Sequence, residues 1–521
     1  MEQEKYYLNI GNANDLKNPR ERLLYRAFEI LPGALAWLTL SGIFIGSWLA
    51  PVGASIFIIL FDLYWLIKTF FLSLHLRASY KKMKEHIRTD WQKKLSELEA
   101  YRTRTIYHLI ILPFFREEEQ VVRESVESLA RSSYQKDRIM VVLGIEERAG
   151  KEAEEIAEKL SREFGNVFFK FFVARHPAGV AGELMGKGAN ETWAIRRAKE
   201  TLIDPLRIPY EDIVVSSFDI DTKASPDYFS CLTYHYCAAP DALHTSYQPI
   251  PVYNNNIWSA PAVSRVVATS GTFWQMMQQA RPERLTTFSS HSMPFKALVD
   301  MDYWPTNIVS EDSRIFWKSL LFYDGKYRVV PLYYSVSMDA NVAPTLWGTI
   351  KNVYKQQRRW GWGVENVPYM LFGFFRNRAI PLRTKLYFTF NQFDGFWSWS
   401  TNSFLIFLLG WLPPFIGGQV FGSSSLAYNL PFVTRFLMTL AMFGLITSAI
   451  LSTMLLPPRP PRHPFRKYLW MVGQWTLLPF IIVTLGSLPG LDAQTRLMFG
   501  RYMGFWVTPK YRNKYENPKA G

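Results

Sequence analysis

Four long stretches of this 521-residue chain contain no charged side chain, and they restrict its fold more than any other feature. They cover residues 30–61, 395–434, 436–458 and 468–491. A helix that crosses a bilayer needs about 20 consecutive, mostly apolar residues, and four uncharged stretches of that length are hard to place in the core of a soluble protein. The sequence therefore predicts an integral membrane protein with a large polar domain after the first stretch.

The basic residues indicate a membrane surface rather than nucleic acid. The formal net charge is +15, but the basic side chains form no single stripe with interleaved aromatic residues. Many instead follow the first and third uncharged stretches, as the cytoplasmic flanks of membrane helices do. These are Lys68, Arg77, Lys81, Lys82, Lys84, Arg459, Arg462, Arg466 and Lys467. We expect a lipid bilayer as a partner, no nucleic acid, and a multi-pass protein of the plasma membrane with a cytoplasmic polar domain.

The two cysteines do not indicate a metal or redox site. Cys231 and Cys237 are separated by five residues, a spacing that suits neither a zinc site nor a CxxC redox pair. We expect both to be ordinary reduced residues of a cytosolic domain.

Composition divides the chain into seven predicted segments. They are a cytoplasmic N-terminal segment (1–30), a hairpin of two membrane helices (31–74), a connector (75–104), an α/β domain (105–345), interfacial helices (346–395), a C-terminal membrane region (396–488) and a basic tail (489–521). In the C-terminal region, residues 396–415 and 432–456 are predicted to cross the membrane. Residues 468–488 form a third span or, as Pro479 and Gly486 favour, a re-entrant segment that keeps the tail in the cytoplasm.

Short apolar runs alternate with amphipathic stretches between residues 106 and 218. The pattern predicts strands over residues 106–113, 139–145, 167–173 and 213–218, separated by helices over 117–130, 151–164 and 190–201. Such alternation is typical of an α/β domain with a mostly parallel sheet. Ligands of these sheets bind beyond the carboxyl ends of the strands, where the sequence places Pro113, Glu117, Glu146, Glu147, Asp219 and Asp221.

Asp219 and Asp221 follow one of the predicted strands. In extended backbone, side chains two positions apart point the same way, so the two carboxylates can hold Mg²⁺ or Mn²⁺ together with phosphate oxygens. Such a metal neutralises the charge that develops on a departing diphosphate. A DxD sequence is common by chance, but its position after a strand favours this interpretation.

Glu311 and Asp312 precede a helix-like stretch. An acidic pair at a helix N-terminus can be there only to complement the helix dipole. The functional alternative is a base that takes the proton from an attacking acceptor hydroxyl. One base without an enzyme nucleophile gives direct displacement with inversion.

Gln356, Arg359 and Trp360 lie at i, i+3 and i+4 and so share one face of a helix. Arginine pairs with diphosphate oxygens, often through two bonds, and an indole provides a flat surface for a sugar ring. These residues also fit a basic and aromatic anchor at the membrane interface, and both interpretations stay open.

In this order the three elements describe sugar transfer from a nucleotide-sugar to an acceptor hydroxyl. The ordered set of DxD, ED and QxxRW resembles the membrane-embedded family-2 glycosyltransferases, the group of cellulose, hyaluronan and chitin synthases. The motifs cover roughly residues 105–370, and residues 505–510 resemble a tail segment of several members. The resemblance implies a GT-A-type, mostly parallel nucleotide-sugar-binding domain inserted between transmembrane helices.

The resemblance also implies a role for each matching residue. Asp219 and Asp221 would bind the nucleotide diphosphate and the metal, and Asp312 would be the general base, next to Glu311. Gln356, Arg359 and Trp360 would hold the donor diphosphate and the acceptor sugar. Lys187 matches the family's donor-site lysine, and Glu146 or Glu147 falls where an aspartate usually contacts uridine.

Two departures from the family pattern leave the base of the donor open. The usual Pro-x-Tyr-Asn-Glu reads Pro113-Phe114-Phe115-Arg116-Glu117, with arginine in place of asparagine. Glutamate replaces the aspartate that contacts the nucleoside.

The resemblance predicts an inverting hexosyltransferase that uses a nucleotide-sugar, which we expect to be UDP-linked. The expected product of the enzyme is a growing polysaccharide, which some members of the family pass through the bilayer. One alternative is a transferase that adds a single sugar to a lipid-linked acceptor. The other is an inactive membrane scaffold or transport protein. The sequence leaves the sugar, the linkage and the oligomeric state open.

Overall fold

The computed structural model describes residues 5–461 and 463–511. Residues 1–4 and 512–521 at the two ends, and Arg462 among the basic residues noted above, lie outside the described residues. Before the α/β domain the helices are α1 (Pro19–Leu49), α2 (Pro51–Arg88), α3 (Trp91–Glu97) and α4 (Glu99–Arg102). Helices α1 and α2 both begin with proline. Proline has no backbone N–H, and this costs no hydrogen bond there because an N–H at the first helical position would have no partner within the helix.

An eight-stranded mixed sheet forms the centre of the polar domain. Its strands are β1 (Tyr107–Phe114), β2 (Ile139–Glu146), β3 (Lys170–His176), β4 (Ile213–Ser217), β5 (Lys223–Ala224), β6 (Thr245–Val252), β7 (Ser292–Pro294) and β8 (Arg328–Ser337). The order across the sheet is β3-β2-β1-β4-β7-β6-β8-β5. The pairs from β3 to β4 are parallel, as is β6 with β8, so the predicted α/β class is confirmed.

Helices cover both faces of this sheet. The helices of this part of the chain are α5 (Glu119–Ala130), α6 (Lys151–Phe164), α7 (Lys187–Ala198), α8 (Asp204–Leu206), α9 (Tyr228–Ala238), α10 (Ala262–Gln279), α11 (Phe295–Asp300), α12 (Glu311–Phe322), α13 (Leu346–Gly361) and α14 (Asn366–Arg376). Along β1, Leu109 and Ile111 belong to one apolar cluster and Ile110 and Leu112 to another. Successive residues of a strand point to opposite faces, so the sheet has a core on each side.

The described part of the N-terminal segment packs on the α/β domain. Tyr7 and Leu8 are buried in the first apolar cluster. The buried Arg314 of α12 donates to the backbone carbonyls of Ile10 and Glu365, each at 3.0 Å. This segment therefore joins the start of α1 to the domain that holds the sheet.

The remaining helices are α15 (Leu382–Phe407), α16 (Leu412–Ile416), α17 (Gly418–Gly422), α18 (Ser425–Ala441), α19 (Phe443–Met454), α20 (Arg466–Gly473), α21 (Leu478–Ile481) and α22 (Leu488–Met498). Four helical segments of the described chain are long and apolar enough to cross a membrane: Pro19–Leu49, Pro51–Arg88, Ser425–Met454 and Arg466–Met498. Residues 396–415, predicted as a span, do not form one helix, because α15 ends at Phe407 and short helices follow.

The segment Arg466–Met498 is continuous rather than the re-entrant hairpin that the sequence favoured. Pro479 lies in the first turn of α21, where it needs no partner for a backbone N–H, and a π-helical turn over Ile482–Ser487 accommodates Gly486. Gln474 accepts a hydrogen bond from Arg265 of α10 at 2.7 Å, and Asp492 pairs with Arg358 of α13 at 3.0 Å. The segment thus lies along helices of the α/β domain over much of its length.

Candidate active site

A cavity lined by charged and aromatic side chains opens at the carboxyl edge of the parallel strands, with a volume of about 120 Å³. Eleven of the twelve residues predicted to act in the site line it: Pro113, Glu117, Glu146, Lys187, Asp219, Asp221, Glu311, Asp312, Gln356, Arg359 and Trp360. Glu147 does not line the cavity, because it lies past the end of β2 in a 3₁₀ turn, where its carboxylate accepts from the Ala178 amide at 2.8 Å.

The two aspartates that follow β4 differ in their surroundings. Asp219 Oδ1 is 2.7 Å from the ammonium of Lys187, and Asp219 Oδ2 accepts from the Ser289 hydroxyl at 2.8 Å. Burial alone would raise the pKa of Asp219, but Lys187 and Lys510 hold it well below its usual range. Asp221 is fully buried, and its Oδ2 accepts from the Asp339 amide at 2.9 Å.

The donor set of this pair fits a hard divalent cation. Asp221 Oδ1 is buried and has no hydrogen-bond partner among the described residues, although a carboxylate oxygen buried in this way is costly unless it is paired. The other oxygen accepts from the ammonium of Lys510 at 2.7 Å. Carboxylate oxygens are the ligands that Mg²⁺ and Mn²⁺ prefer, so Asp219 and Asp221 are the residues that would hold such an ion.

Lys187 lies at the start of α7 among several carboxylates. Its ammonium is 3.6 Å from Glu191 and 4.0 Å from Glu311. Burial alone would lower the pKa of Lys187, yet these carboxylates and Asp219 raise it well above its ordinary value. Gly188 permits this close packing, because a Cβ there would lie 3.0 Å from the Cβ of Glu311.

Glu311 and Asp312 begin α12 and face different surroundings. Glu311 is buried, and its burial together with the charge of Asp312 raises its pKa well above the ordinary value. Asp312 is partly exposed towards the cavity and accepts from the Ser313 amide at 2.8 Å. Burial raises the pKa of Asp312, while Lys187 opposes the shift. The residue that an acceptor could reach is therefore Asp312.

Helix α13 presents Gln356, Arg359 and Trp360 to the cavity, as their spacing predicts. Gln356 Oε1 accepts a hydrogen bond from the side-chain Nδ2 of Asn341 at 3.3 Å. Trp360 lies against Tyr253, with ring centroids 6.1 Å apart. Arg358 lies on another face of the helix and forms a salt bridge with Asp492. The motif thus joins the cavity to the Arg466–Met498 segment.

The side of the cavity near β1 and β2 carries Glu117 and Glu146. Glu117 Oε2 accepts from the amides of Phe115 and Arg116 at 2.9 and 3.1 Å, and burial raises its pKa. Glu146 pairs with Arg148. Arg116 does not line the cavity and donates to the carbonyls of Arg148 and Ala149.

The basic tail enters the cavity, which the sequence did not predict. Phe505, Val507, Thr508 and Lys510 all line it. The guanidinium of Arg359 lies 5.2 Å from the centroid of the Phe505 ring. The likeness of residues 505–510 to a family segment was the signal in the sequence, but a linear pattern does not show which cavity a tail reaches. Other lining residues that sequence reasoning missed are Asn190, Tyr253 and Ser289.

The domain thus combines a mixed sheet, acidic residues at the carboxyl edge of its parallel strands and a basic-aromatic helix beside them, and apolar helices flank it. Residues 214–483 match the family described as glycosyl transferase family group 2. The match spans more than half of the chain, and the protein belongs to this family. No curated protein matches it in sequence.

Two solved structures illustrate what the chain is similar to. One is the mannosyltransferase PcManGT from Pyrobaculum calidifontis in complex with GDP-Man and Mn²⁺, at a TM-score of 0.40 and 13% identity over 76% of this chain and 99% of that chain. The other is S. aureus TarS 1-349 in complex with UDP-GlcNAc, at a TM-score of 0.35 and 14% identity over 67% of this chain and 91% of that chain.

Proposed function

We propose that the protein is a metal-dependent, inverting hexosyltransferase that moves sugar from a nucleotide-sugar to an acceptor hydroxyl. The observation that carries the proposal is the single cavity shared by an acidic pair, a separate carboxylate and a basic-aromatic helix face. Its catalytic unit comprises residues 105–345 and the helices of residues 346–395. The membrane layout and the QxxRW helix favour the cellulose and chitin synthase-like branch of its family.

The donor diphosphate would lie between the acidic pair and α13. Asp219 and Asp221 would hold Mg²⁺ or Mn²⁺, which when bound stabilises negative charge on the leaving diphosphate. Arg359 adds a planar cation suited to phosphate oxygens, and the buried ammonium of Lys187 adds a second positive charge. Pro113, Glu117 and Glu146 lie at the other side of the cavity, where we place the nucleoside, with uridine as the expected base.

Asp312 would act as the general base. Its carboxylate takes the proton of the acceptor hydroxyl while that oxygen bonds to the anomeric carbon. The bond from this carbon to the diphosphate breaks, and the nucleotide diphosphate leaves with the electron pair. Because the attacking and leaving oxygens lie on opposite faces of the sugar, one displacement inverts the anomeric configuration.

The acceptor would enter along α13. Trp360 and Tyr253 form an aromatic surface on which a sugar ring can stack, and Gln356 lies beside it. The helix that carries Trp360 packs on the apolar segment Arg466–Met498 through Arg358 and Asp492. This direct contact favours a growing polysaccharide that leaves towards the membrane. We propose that the protein crosses the plasma membrane several times and that its polar domain lies in the cytoplasm.

Nucleotide release by the full-length protein in detergent tests the proposal. We expect Mn²⁺-dependent release of UDP from one member of a panel of UDP-sugars, strongly reduced by Asp312→Asn and by Asp221→Asn. Release from a GDP-sugar or a lipid-phosphate sugar instead would correct the donor. A long product on a gel indicates a processive synthase, and a single added sugar on a lipid acceptor indicates the non-processive transferase. No release from any donor would favour the inactive scaffold.

A further inference from the structure

Three side chains that are distant in sequence meet at the junction of the membrane hairpin and the sheet domain. They are His86, near the end of α2, and Cys231 and His235, both on α9. Each offers one ligand atom, and the three atoms lie within 4.8 Å of one another. Cys231 and His235 are four residues apart and so share one face of α9. His86 precedes them by more than 140 residues, which is why the spacing of the cysteines did not indicate this cluster.

Each histidine presents a ring nitrogen that suits coordination. His86 Nδ1 is 2.7 Å from the backbone carbonyl of Leu332, which cannot donate. Nδ1 therefore carries the hydrogen, and the lone pair is on Nε2. His235 Nε2 is buried and has no hydrogen-bond partner among the described residues. A histidine that donates its other ring N–H to a carbonyl is the usual arrangement around a protein-bound metal.

The three side chains lie in a partly buried setting. Cys231 is buried, and His86 and His235 are each intermediate in exposure. Trp91 packs against both histidine rings, with centroids 5.2 and 5.5 Å away. The cluster is thus a partly buried set of two imidazoles and one thiol.

From this arrangement we propose that His86 Nε2, Cys231 Sγ and His235 Nε2 form a binding site for Zn²⁺, separate from the acidic pair of the active site. Thiolate and imidazole are the ligands that zinc prefers, usually in a tetrahedron with a further ligand or water. Tetrahedral bond lengths require ligand atoms about 3.3–3.6 Å apart, so side-chain rotation from the present separation of up to 4.8 Å must accompany binding. On binding, two Zn–N bonds and one Zn–S bond form, the S–H bond breaks, and the proton leaves to solvent.

A metal in this position would fix α2 to α9. The N-terminal part of α2 belongs to an apolar segment long enough to cross a membrane, and α9 follows closely after the acidic pair of the active site. Zinc would therefore stabilise the docking of the sheet domain on the membrane hairpin. This site is independent of the proposed sugar transfer.

Metal analysis of the full-length protein in detergent tests the site. After dialysis against zinc and then metal-free buffer, we expect about one bound Zn²⁺ per chain. Cys231→Ser and His235→Asn should lose it, whereas His235→Cys, which supplies another zinc ligand, should retain it. Cys237→Ser is the matched control on the same helix, and Asp221→Asn is the control for the acidic pair; both should keep the zinc.

A second measurement needs no variant and is unaffected by failed folding. Co²⁺ added to the wild-type protein should give the absorption of thiolate-to-metal charge transfer, which oxygen ligands do not produce. Zinc should displace the signal. Absence of both bound zinc and this absorption in the wild type, or zinc retained by Cys231→Ser, would overturn the proposal.

Discussion

Lys510→Met is expected to strengthen binding of Mn²⁺ to the free protein. The ammonium of Lys510 is 2.7 Å from Asp221 Oδ2, and this carboxylate is fully buried. A cation that coordinates Asp221 must displace this ammonium or bind against its charge. Methionine has a similar length without the charge, so the substitution removes the competitor and keeps most of the apolar contact of the tail.

The size of the effect follows from the bond that the metal must replace. A hydrogen bond to a charged group contributes about 1.5–3 kcal/mol, and each 1.4 kcal/mol is a factor of ten in an equilibrium constant. We therefore expect the dissociation constant for Mn²⁺ to fall by about 10- to 150-fold. The same change should lower the Mn²⁺ concentration that gives half-maximal nucleotide release.

The assay is titration of the donor-free protein with Mn²⁺, with free Mn²⁺ measured by electron paramagnetic resonance. Lys355→Met is the matched control, since the Lys355 ammonium lies 5.3 Å from the centroid of the Trp506 ring and touches the same tail without a carboxylate partner among the described residues. Unchanged affinity in Lys510→Met, or an equal gain in Lys355→Met, would refute the idea that Lys510 competes with the metal.

Three further changes test the active site and its support. Asp312→Asn should lower the transfer rate by about 10²–10⁴-fold while donor affinity measured by calorimetry changes little. Asp312 acts as a base only when it is deprotonated, and burial raises its pKa. We therefore expect kcat/KM to rise with increasing pH, with the midpoint of the rise above about 3.9, the ordinary pKa of aspartate. In Gly186→Ala the new Cβ would lie 2.6 Å from Cγ of Phe505, so the tail should shift and Mn²⁺ affinity should increase. Arg314→Leu leaves the carbonyl of Ile10 without its donor and should cost about 1–3 kcal/mol, seen as earlier thermal unfolding in detergent.

Much of the sheet domain could be predicted because its strands are short apolar runs between clear helices. Helix α6 was predicted with its observed ends, and β1 and β2 were predicted within one residue. Strand β3 begins at Lys170 rather than at the predicted residue 167. Phe168 is buried in the core but precedes the first residue of the strand that pairs with β2. Apolar side chains before a strand look like part of it when only hydropathy is considered.

The membrane-side helices were harder to predict because proline and glycine do not by themselves set the path of a helix. Pro479 lies in a first helical turn and Gly486 within a π turn, so the predicted hairpin is one continuous segment. Contacts with Arg265 and Arg358 hold this segment along the domain, and no local pattern reveals such distant partners.

The local part of the active site followed from spacing, whereas its long-range part did not. Gln356, Arg359 and Trp360 share a helix face, so three positions in sequence predicted one surface. Lys510 approaches Asp221 across 289 residues, and only the folded chain shows that contact.

The anomeric configuration of the transferred sugar is the most direct test of one-step displacement in this cavity. An α-linked nucleotide-sugar that the protein accepts would be followed by proton NMR, with Asp312→Asn as the matched control. We predict a β-linked product from the wild type, formed in step with nucleotide diphosphate release, and at least about 100-fold slower product formation by the variant. An α-linked product, or transfer at the wild-type rate by Asp312→Asn, would contradict a single displacement with Asp312 as the base.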